Sequence, residues 1–553
     1  MGLMNPLKNI WNKFIAQPDI WFFYGFLLTF TLSIRKVIKF YPINGQFNEY
    51  TGIYLYLSDI FLILALVFWG ISILQNKNDI LSIYRKIFSG NKFLIIIPLL
   101  LVIWSFISSG WADNKIIALF RSIKLLEFYL LYVYLIFRIV PYGTISSYGA
   151  SVKHLTPTLS SLRRGGILIN AFRITIFMGL FQAIIGIWQF VLQHSLELFW
   201  LKESLILPSM SGVAKIILNG EKYIRAYGLF PHPNILGGFL LFSIIITWTY
   251  WKLIKIPLNP PFTKGENGIV PHGTIRILSP FVKGRVGEGF LWTILVIQIL
   301  ALLLTFSKSA ILGLFIALLY LYVSRGTSRI SSPFVKGRIK EGFLFHMKHY
   351  WKQIAIVILI AFIGLNWLKM DWNTFFAKSW IERETYLIAS FKEINDNPVT
   401  GVGMGQFVLV MGRYVPHGTY LENWQFQPVH NVFLLILSEL GIIGLGLFIW
   451  WTWKLLKLSP FLKGRIKGGF LYSNSTQKSP LNPLFINGEK QSVPRGTLLL
   501  TIILKSVLIG FIFIMFFDHY FWDIQQGEVL LFLTFGLFAG FSFIKKQTMP
   551  AVN

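Results

Sequence analysis

The sequence predicts an all-α fold: a polytopic integral membrane bundle of about 12 transmembrane helices, with N- and C-termini on the cytoplasmic side. Three observations predict it. Of the 553 residues, 54% are hydrophobic and only 13% charged, with a mean hydropathy of +0.61, whereas a soluble domain carries roughly a quarter charged residues. Apolar runs of about 18 residues or more recur along the whole length, and a bilayer core demands a helix of that order. Alternation over ~10-residue segments, the mark of a membrane barrel, is absent. Backbone polar groups in lipid must pair within their own segment, so the runs read as helices.

Taken in order, spans are expected near 20–39, 56–74, 93–109, 116–139, 167–193, 235–254, 290–305, 309–324, 352–370, 429–453, 499–517 and 528–544. The first follows a basic start (Lys8, Lys13) with no small-residue cleavage site, and reads as a retained signal anchor. The inside loops are then 75–92, 140–166, 255–289, 325–351 and 454–498, all rich in Lys and Arg, while the long outside loop 371–428 holds only Lys378, Arg383, Lys392 and Arg413. That asymmetry obeys the positive-inside rule. Arg35, Lys36 and Lys39, at the outer end of the first span, are the exception. The net charge of +28 is thereby explained without nucleic acid, since no stacking-aromatic or groove-reading motif accompanies it. The chain has no cysteine, which excludes disulfide and thiolate chemistry.

Three inside loops contain a near-identical element: SPFVKGRVGEGF at 279–290, SPFVKGRIKEGF at 332–343 and SPFLKGRIKGGF at 459–470. Repeats that build a solenoid recur at a fixed period. These recur irregularly and read as insertions that loops tolerate. The alternative is a basic patch for anionic membrane lipids.

Ionisable groups cost about 2.5–3.5 kcal/mol at the centre of a membrane helix, so those near spans are read as functional or paired. Four segments bring polar residues to outer span ends. In the first, Arg225 and His232 precede Asn234, which stands where an N-cap would stand. The segment is an anion site or a capped helix start with an interfacial arginine. In the second, the turn Thr305 to Ser309 carries Lys308, an anion ligand or a snorkelling lysine. The third is loop 371–428, with Arg383 on a stretch of helical spacing and then a Gly-rich run from Asn397 to Gly405 that reads as a flexible turn. That run follows no strand and lacks a P-loop lysine, so a nucleotide site is rejected. His417 falls in a recurring VPHGT element and is set aside. In the fourth, His430 and Asn431 open a span, and Glu439 lies about two and a half turns deeper, too far to orient His430.

Asp518 heads the last outer loop, 518–527, which is acidic and aromatic and suits a sugar or the interfacial belt. Inside the bundle, Arg121, Lys124 and Glu127 share one helix face, and Gln182, Gln189 and Gln193 another. Both stripes read as inward-facing and paired.

Arg225, Lys308, Arg383 and His430 come from separate stretches, and the topology puts all four on the outer face. Cations stabilise charge developing on a leaving diphosphate, and a histidine of near-neutral pKa takes a hydroxyl proton. No carboxylate pair or His/Asp cluster has metal-ligand spacing, so neither metal nor other cofactor is expected.

At these residues the chain resembles the O-antigen ligase/O-antigen polymerase family of bacterial envelope enzymes. RAYGLFPHPNILGG at 225–238 looks like the family's arginine-to-HPN segment. LTFSKSAILGL at 304–314 looks like its Thr-x-Ser-Arg turn. ERETYLIASFKEINDNPVTGVGMGQF at 382–407 looks like its arginine-then-Pro-x-x-Gly-x-Gly loop. HNVFLLILSELGIIG at 430–444 looks like its His-Asn, nine residues, Gly-x-x-Gly pattern. The resemblance covers a core at 167–453 firmly and the remaining spans of a single polytopic domain, 1–553, loosely.

The resemblance implies a metal-independent glycosyltransferase of the polytopic GT-C type in the bacterial inner membrane. Its donor would be an undecaprenyl-diphosphate-linked glycan, and its acceptor a glycan, lipid A core, another lipid or a protein. Arg225 and Arg383 would match diphosphate-binding arginines, and His430 the histidine that activates the acceptor hydroxyl. Lys308 stands where the family usually has arginine. Leu445 and Gly446 follow the Gly-x-x-Gly where ligases often carry two threonines, which leaves ligase and polymerase both open. The rival readings are a transporter or flippase of lipid-linked glycans, against which no internal repeat of the fold is seen, and a non-enzymatic scaffold for envelope assembly.

Overall fold

The computed structural model describes residues 11–75, 92–139, 166–255, 285–326, 372–416, 420–458 and 495–547. The span expected at 352–370, His417 and nearly all of the repeated loop elements lie outside these.

Helix α1 (Pro18–Thr29) begins on Pro18, whose fixed φ suits a first helical turn. The expected first span, 20–39, is corrected here. The helix stops at Thr29, and Arg35–Phe40 forms a strand, β1, paired antiparallel with β2 (Gly52–Tyr56). The β-branched pair Val37 and Ile38 favours a strand. The basic residues that broke the charge pattern therefore sit on a hairpin, where Arg35 donates to Glu49 Oε1 at 2.7 Å and lies over the Tyr54 ring.

Next come α2 (Leu57–Gln75), α3 (Phe93–Ser108), α4 (Lys115–Tyr134, prolonged by a π turn to Ile139) and α5 (Ile167–Leu192). A second hairpin, β3 (Lys215–Leu218) and β4 (Glu221–Ile224), turns on Asn219 and Gly220, both at positive φ, as a tight two-residue hairpin requires. The remaining long helices are α6 (Pro233–Lys255), α7 (Arg285–Leu304), α8 (Lys308–Gly326), α9 (Trp372–Asp396), α10 (Val432–Leu456), α11 (Arg495–Met515) and α12 (Gln525–Gln547). The bundle is helical as expected; the two hairpins depart from an all-α chain. Among the described residues, α2, α5, α6 as far as Lys252, and α10 are long and apolar enough to cross a membrane. Phe93–Ser108, Gly289–Leu304, Lys308–Ser324 and Leu499–Met515 are shorter apolar helices.

Helix α6 is central, packing on α5, α7, α8 and α11. Helices α8 and α11 touch through Gly313 and Gly510, where a Cβ on either would meet the other's carbonyl oxygen at about 3 Å, the close approach that small residues permit between membrane helices. Several charged groups inside are paired. Arg138 forks onto Asp19 at 2.7 and 2.9 Å, joining the π turn to α1. Lys124 sits between Asp59 at 2.8 Å and Glu127 at 2.5 Å. Arg121 donates to the Asp523 and Tyr50 carbonyls at 2.6 and 3.0 Å.

Two sequence expectations change at α10. The Gly-rich run at 397–405 is docked, not loose. Helix α10 is broken at Gly441 (φ 65°, ψ −169°), and the run enters that break: Val402 N–H donates to Ser438 O, Gly403 N–H to Glu439 O, and Ile442 N–H to Pro398 O. A Cβ on Gly441 would stand 2.0 Å from Val399 O. The loop 518–527 does not lie in an interfacial belt. Asp518, His519, Tyr520, Phe521 and Trp522 are each 5% exposed or less, packed inside the bundle.

Candidate active site

The site is built on a strap, residues 224–232, held by the glutamine stripe of α5. Gln193 Oε1 accepts from Ile224 N–H at 2.7 Å. Gln189 accepts from Tyr227 N–H at 3.2 Å and donates to Gly228 O at 2.9 Å. Gln182 accepts from Leu229 N–H at 2.7 Å. Gly228, at φ 61°, lets the strap close on Gln182, whose Oε1 would lie 2.7 Å from an added Cβ. One helix face thus satisfies an irregular segment that leaves the β3–β4 ladder after Arg225.

The strap delivers Arg225. Its Nε donates to Thr305 O and its Nη2 to Asn234 Oδ1, both at 2.6 Å, and Asn234 Nδ2 donates in turn to Asp518 Oδ2 at 2.6 Å. Asn234 is therefore not the N-cap expected of it. Helix α6 starts one residue earlier, at Pro233, and the His232 carbonyl accepts the first helical N–H groups while its Nδ1 accepts from Asn234 N–H at 3.2 Å. Asn234 is freed to link Arg225 to Asp518.

Arg225, Lys308, Arg383 and His430 line one cavity of about 590 Å³, with His232 and Asn234. Lys308 is the first residue of α8, presented by a turn with Phe306 at φ 50°. Arg383 and Tyr386 lie one turn apart on α9. The Tyr386 ring stacks on His430, centroids 5.5 Å apart at 8°. Two further candidates do not reach the cavity. Asn431 caps α10, accepting from Leu434 N–H at 3.0 Å, and Glu439 is buried deeper against Trp522 Nε1 at 3.2 Å. Asp518 lines an adjoining cavity of about 280 Å³, which also takes in His430.

Sequence reasoning missed several groups. Lys215 and Lys222 of the second hairpin line the larger cavity. His519 meets His430 edge to face at 5.0 Å and is clamped by Asp523, Nδ1 to the carboxylate at 2.8 and 2.9 Å. The i,i+4 spacing of His519 and Asp523 was the available signal. The hairpin lysines carried none, because only the strap's tertiary position brings them over the cavity.

The electrostatics follow from burial and cation crowding. Burial, then the positive neighbours His519, Arg383 and His232, pushes His430 well below the ordinary histidine value. Burial and then Arg225 do the same to His232. Burial draws Arg225 down to about 10, against the pull of Tyr227 and Asp518. Burial works against a charge on His519 too, but the Asp523 carboxylate outweighs it and raises the imidazole. The site thus sets histidines held below their ordinary value beside three basic side chains.

No curated protein matches the chain. Residues 293–449, from α7 through most of α10 and so including Lys308, Arg383 and His430, match the family model described as O-Antigen ligase. Match and motifs point to one family: the segment 293–449 is similar to O-antigen ligases, and it holds three of the four motif segments.

Proposed function

We propose that the protein transfers or polymerises a glycan from an undecaprenyl-diphosphate-linked donor onto an acceptor hydroxyl, at the outer face of the bacterial inner membrane and without a metal. One observation carries the reading: Arg225, Lys308 and Arg383 share a cavity with His430. Three basic side chains suit a diphosphate, and the charge that grows on it as it leaves is where preorganised positive groups act most strongly. Phe306, Leu312, Phe513 and Phe517 give the same cavity an apolar side, suited to the first units of a polyprenyl chain.

In this mechanism the acceptor oxygen forms a bond to the anomeric carbon as that carbon's bond to the diphosphate oxygen breaks. The hydroxyl proton passes to His430, whose depressed basicity keeps it unprotonated in the resting site and makes it a weaker base than an ordinary histidine. Undecaprenyl diphosphate departs against Arg225, Lys308 and Arg383. Lysine at 308 supplies a point charge in place of a bidentate fork.

The test is a reconstituted assay with a lipid-diphosphate-linked oligosaccharide, comparing wild type with His430→Ala and Arg225→Ala. A product ladder lost in the mutants means polymerase; a single product formed only with added acceptor means ligase. Unchanged product in both mutants overturns the reading. Lipid movement across vesicles with no linkage formed favours a flippase.

A further inference from the structure

The loop between α5 and the second hairpin leaves its largest apolar side chains uncovered. Within residues 195–207, a short 3₁₀ turn, Phe199–Leu201, carries Phe199 at 69% and Trp200 at 94% exposure. Leu205 and Leu207 are exposed as well. The patch continues a face of α5. Phe177, Ile184, Trp188 and Val191 are exposed at helical spacing, on a helix long and apolar enough to cross a membrane. Leu192 carries that exposed face to the helix end.

The loop is held from within. Glu203 Oε1 accepts from Leu196 N–H at 2.8 Å and from Gln189 Nε2 at 2.7 Å, and its Oε2 accepts from Leu198 N–H at 2.9 Å. Ser195 N–H donates to Ile206 O at 3.2 Å and closes the loop at its base. Ile206 is buried in a small core with Ile224 and Tyr227, which flank Arg225 in the strap. Gln189 is the same side chain that holds Tyr227 and Gly228. One amide and one isoleucine therefore join the exposed turn to the segment that delivers Arg225.

We infer that loop 195–207 is a lipid-surface anchor: Phe199 and Trp200 seat at the headgroup–acyl boundary of the bilayer that α5 crosses, and hold the strap at that depth. Tryptophan, with an apolar body and one N–H, belongs at that boundary. Lys202 is exposed two residues on, and lays its stem along the acyl edge with its ammonium among lipid phosphates. The exposed face of α5 supplies the continuity with lipid. A lipid-linked diphosphate lies at the same level, so on the transfer reading above the anchor sets Arg225 at the height of its ligand.

The chain has no cysteine, so Phe199→Cys takes a single nitroxide label. In lipid nanodiscs its collisions with oxygen are expected to exceed those with a water-soluble nickel chelate several-fold. Dominant nickel collisions, which mean water, or suppression of both, which means cover by a second copy or another protein surface, overturn the anchor. Trp200→Ser is expected to speed hydrogen exchange of the 224–232 backbone several-fold and to raise the donor KM about tenfold, with Trp200→Tyr restoring both. Unchanged exchange, or an unchanged donor KM in an active enzyme, overturns the hold on the strap. Label and exchange need no turnover. Wild type that forms no linkage while both behave as expected sinks the transfer reading and keeps the anchor; transfer by a protein whose label sits in water does the reverse.

Discussion

Arg225 shows what a single residue contributes and how it is held. Two of its nitrogens are committed to Thr305 and Asn234, so the guanidinium is aimed before any substrate arrives. Arg225→Ala is expected to lower transfer about 10²- to 10³-fold, the scale of losing one preorganised charge-stabilising group, with the circular dichroism spectrum unchanged. Arg225→Lys is expected to recover little, because an ammonium cannot reproduce the fork. His430 gives a pH signature. Its basicity is depressed by burial first and by His519 next, so the rate is expected to hold its plateau as pH falls past the ordinary histidine value and to drop only below it. His519→Gln removes a positive neighbour, makes His430 easier to protonate and is expected to move that acid limb to higher pH. A limb that stays put would show that His519 does not act on His430.

At the scale of elements, the site depends on two backbone arrangements. The strap is held by glutamines from one face of α5. Gln189→Ala leaves the buried Tyr227 N–H and Gly228 carbonyl without that partner, at a cost of about 1–3 kcal/mol, and is expected to raise the donor KM through a displaced Arg225. The second arrangement is the docking of 398–403 into the break of α10. Gly441→Ala puts a Cβ at positive φ and against Val399 O, and is expected to cost about 2 kcal/mol or more, seen as a lowered melting temperature in detergent. The sequence reading found Gly441 as part of a motif and the 397–405 run as a loose turn. It could not pair them, because backbone-to-backbone docking leaves no side-chain pattern to read.

Across the whole molecule, helix α9 rests on the bundle with Glu393 fully buried and neither carboxyl oxygen hydrogen-bonded. Burial, then the nearby Glu439, pushes Glu393 up to about 9. The unfolded chain releases this proton near the ordinary carboxyl value, while the native protein keeps it, so the native state binds more protons over that interval. Stability is therefore expected to be full below the unfolded value and to fall as pH rises towards about 9. Glu393→Gln cannot ionise and is expected to flatten that decline in a thermal melt. A wild type whose melting temperature is level from pH 6 to 9 would refute the burial argument.

The bundle was legible in the sequence because membrane helices must satisfy their backbone internally, and long apolar runs declare this locally. Arg225, Lys308, Arg383 and His430 were legible as candidates for a related reason: polar groups beside apolar runs are conspicuous. The sequence by itself determined the helical class, most helix bounds and both inward polar stripes, and it offered these four residues as candidates. Only the tertiary structure decided that α1 ends before Arg35, that His232 caps α6 and frees Asn234, that His519 stands against His430, and that two adjoining cavities share that histidine. Each of these depends on contacts between segments tens to hundreds of residues apart, and local periodicity and capping carry no record of such contacts.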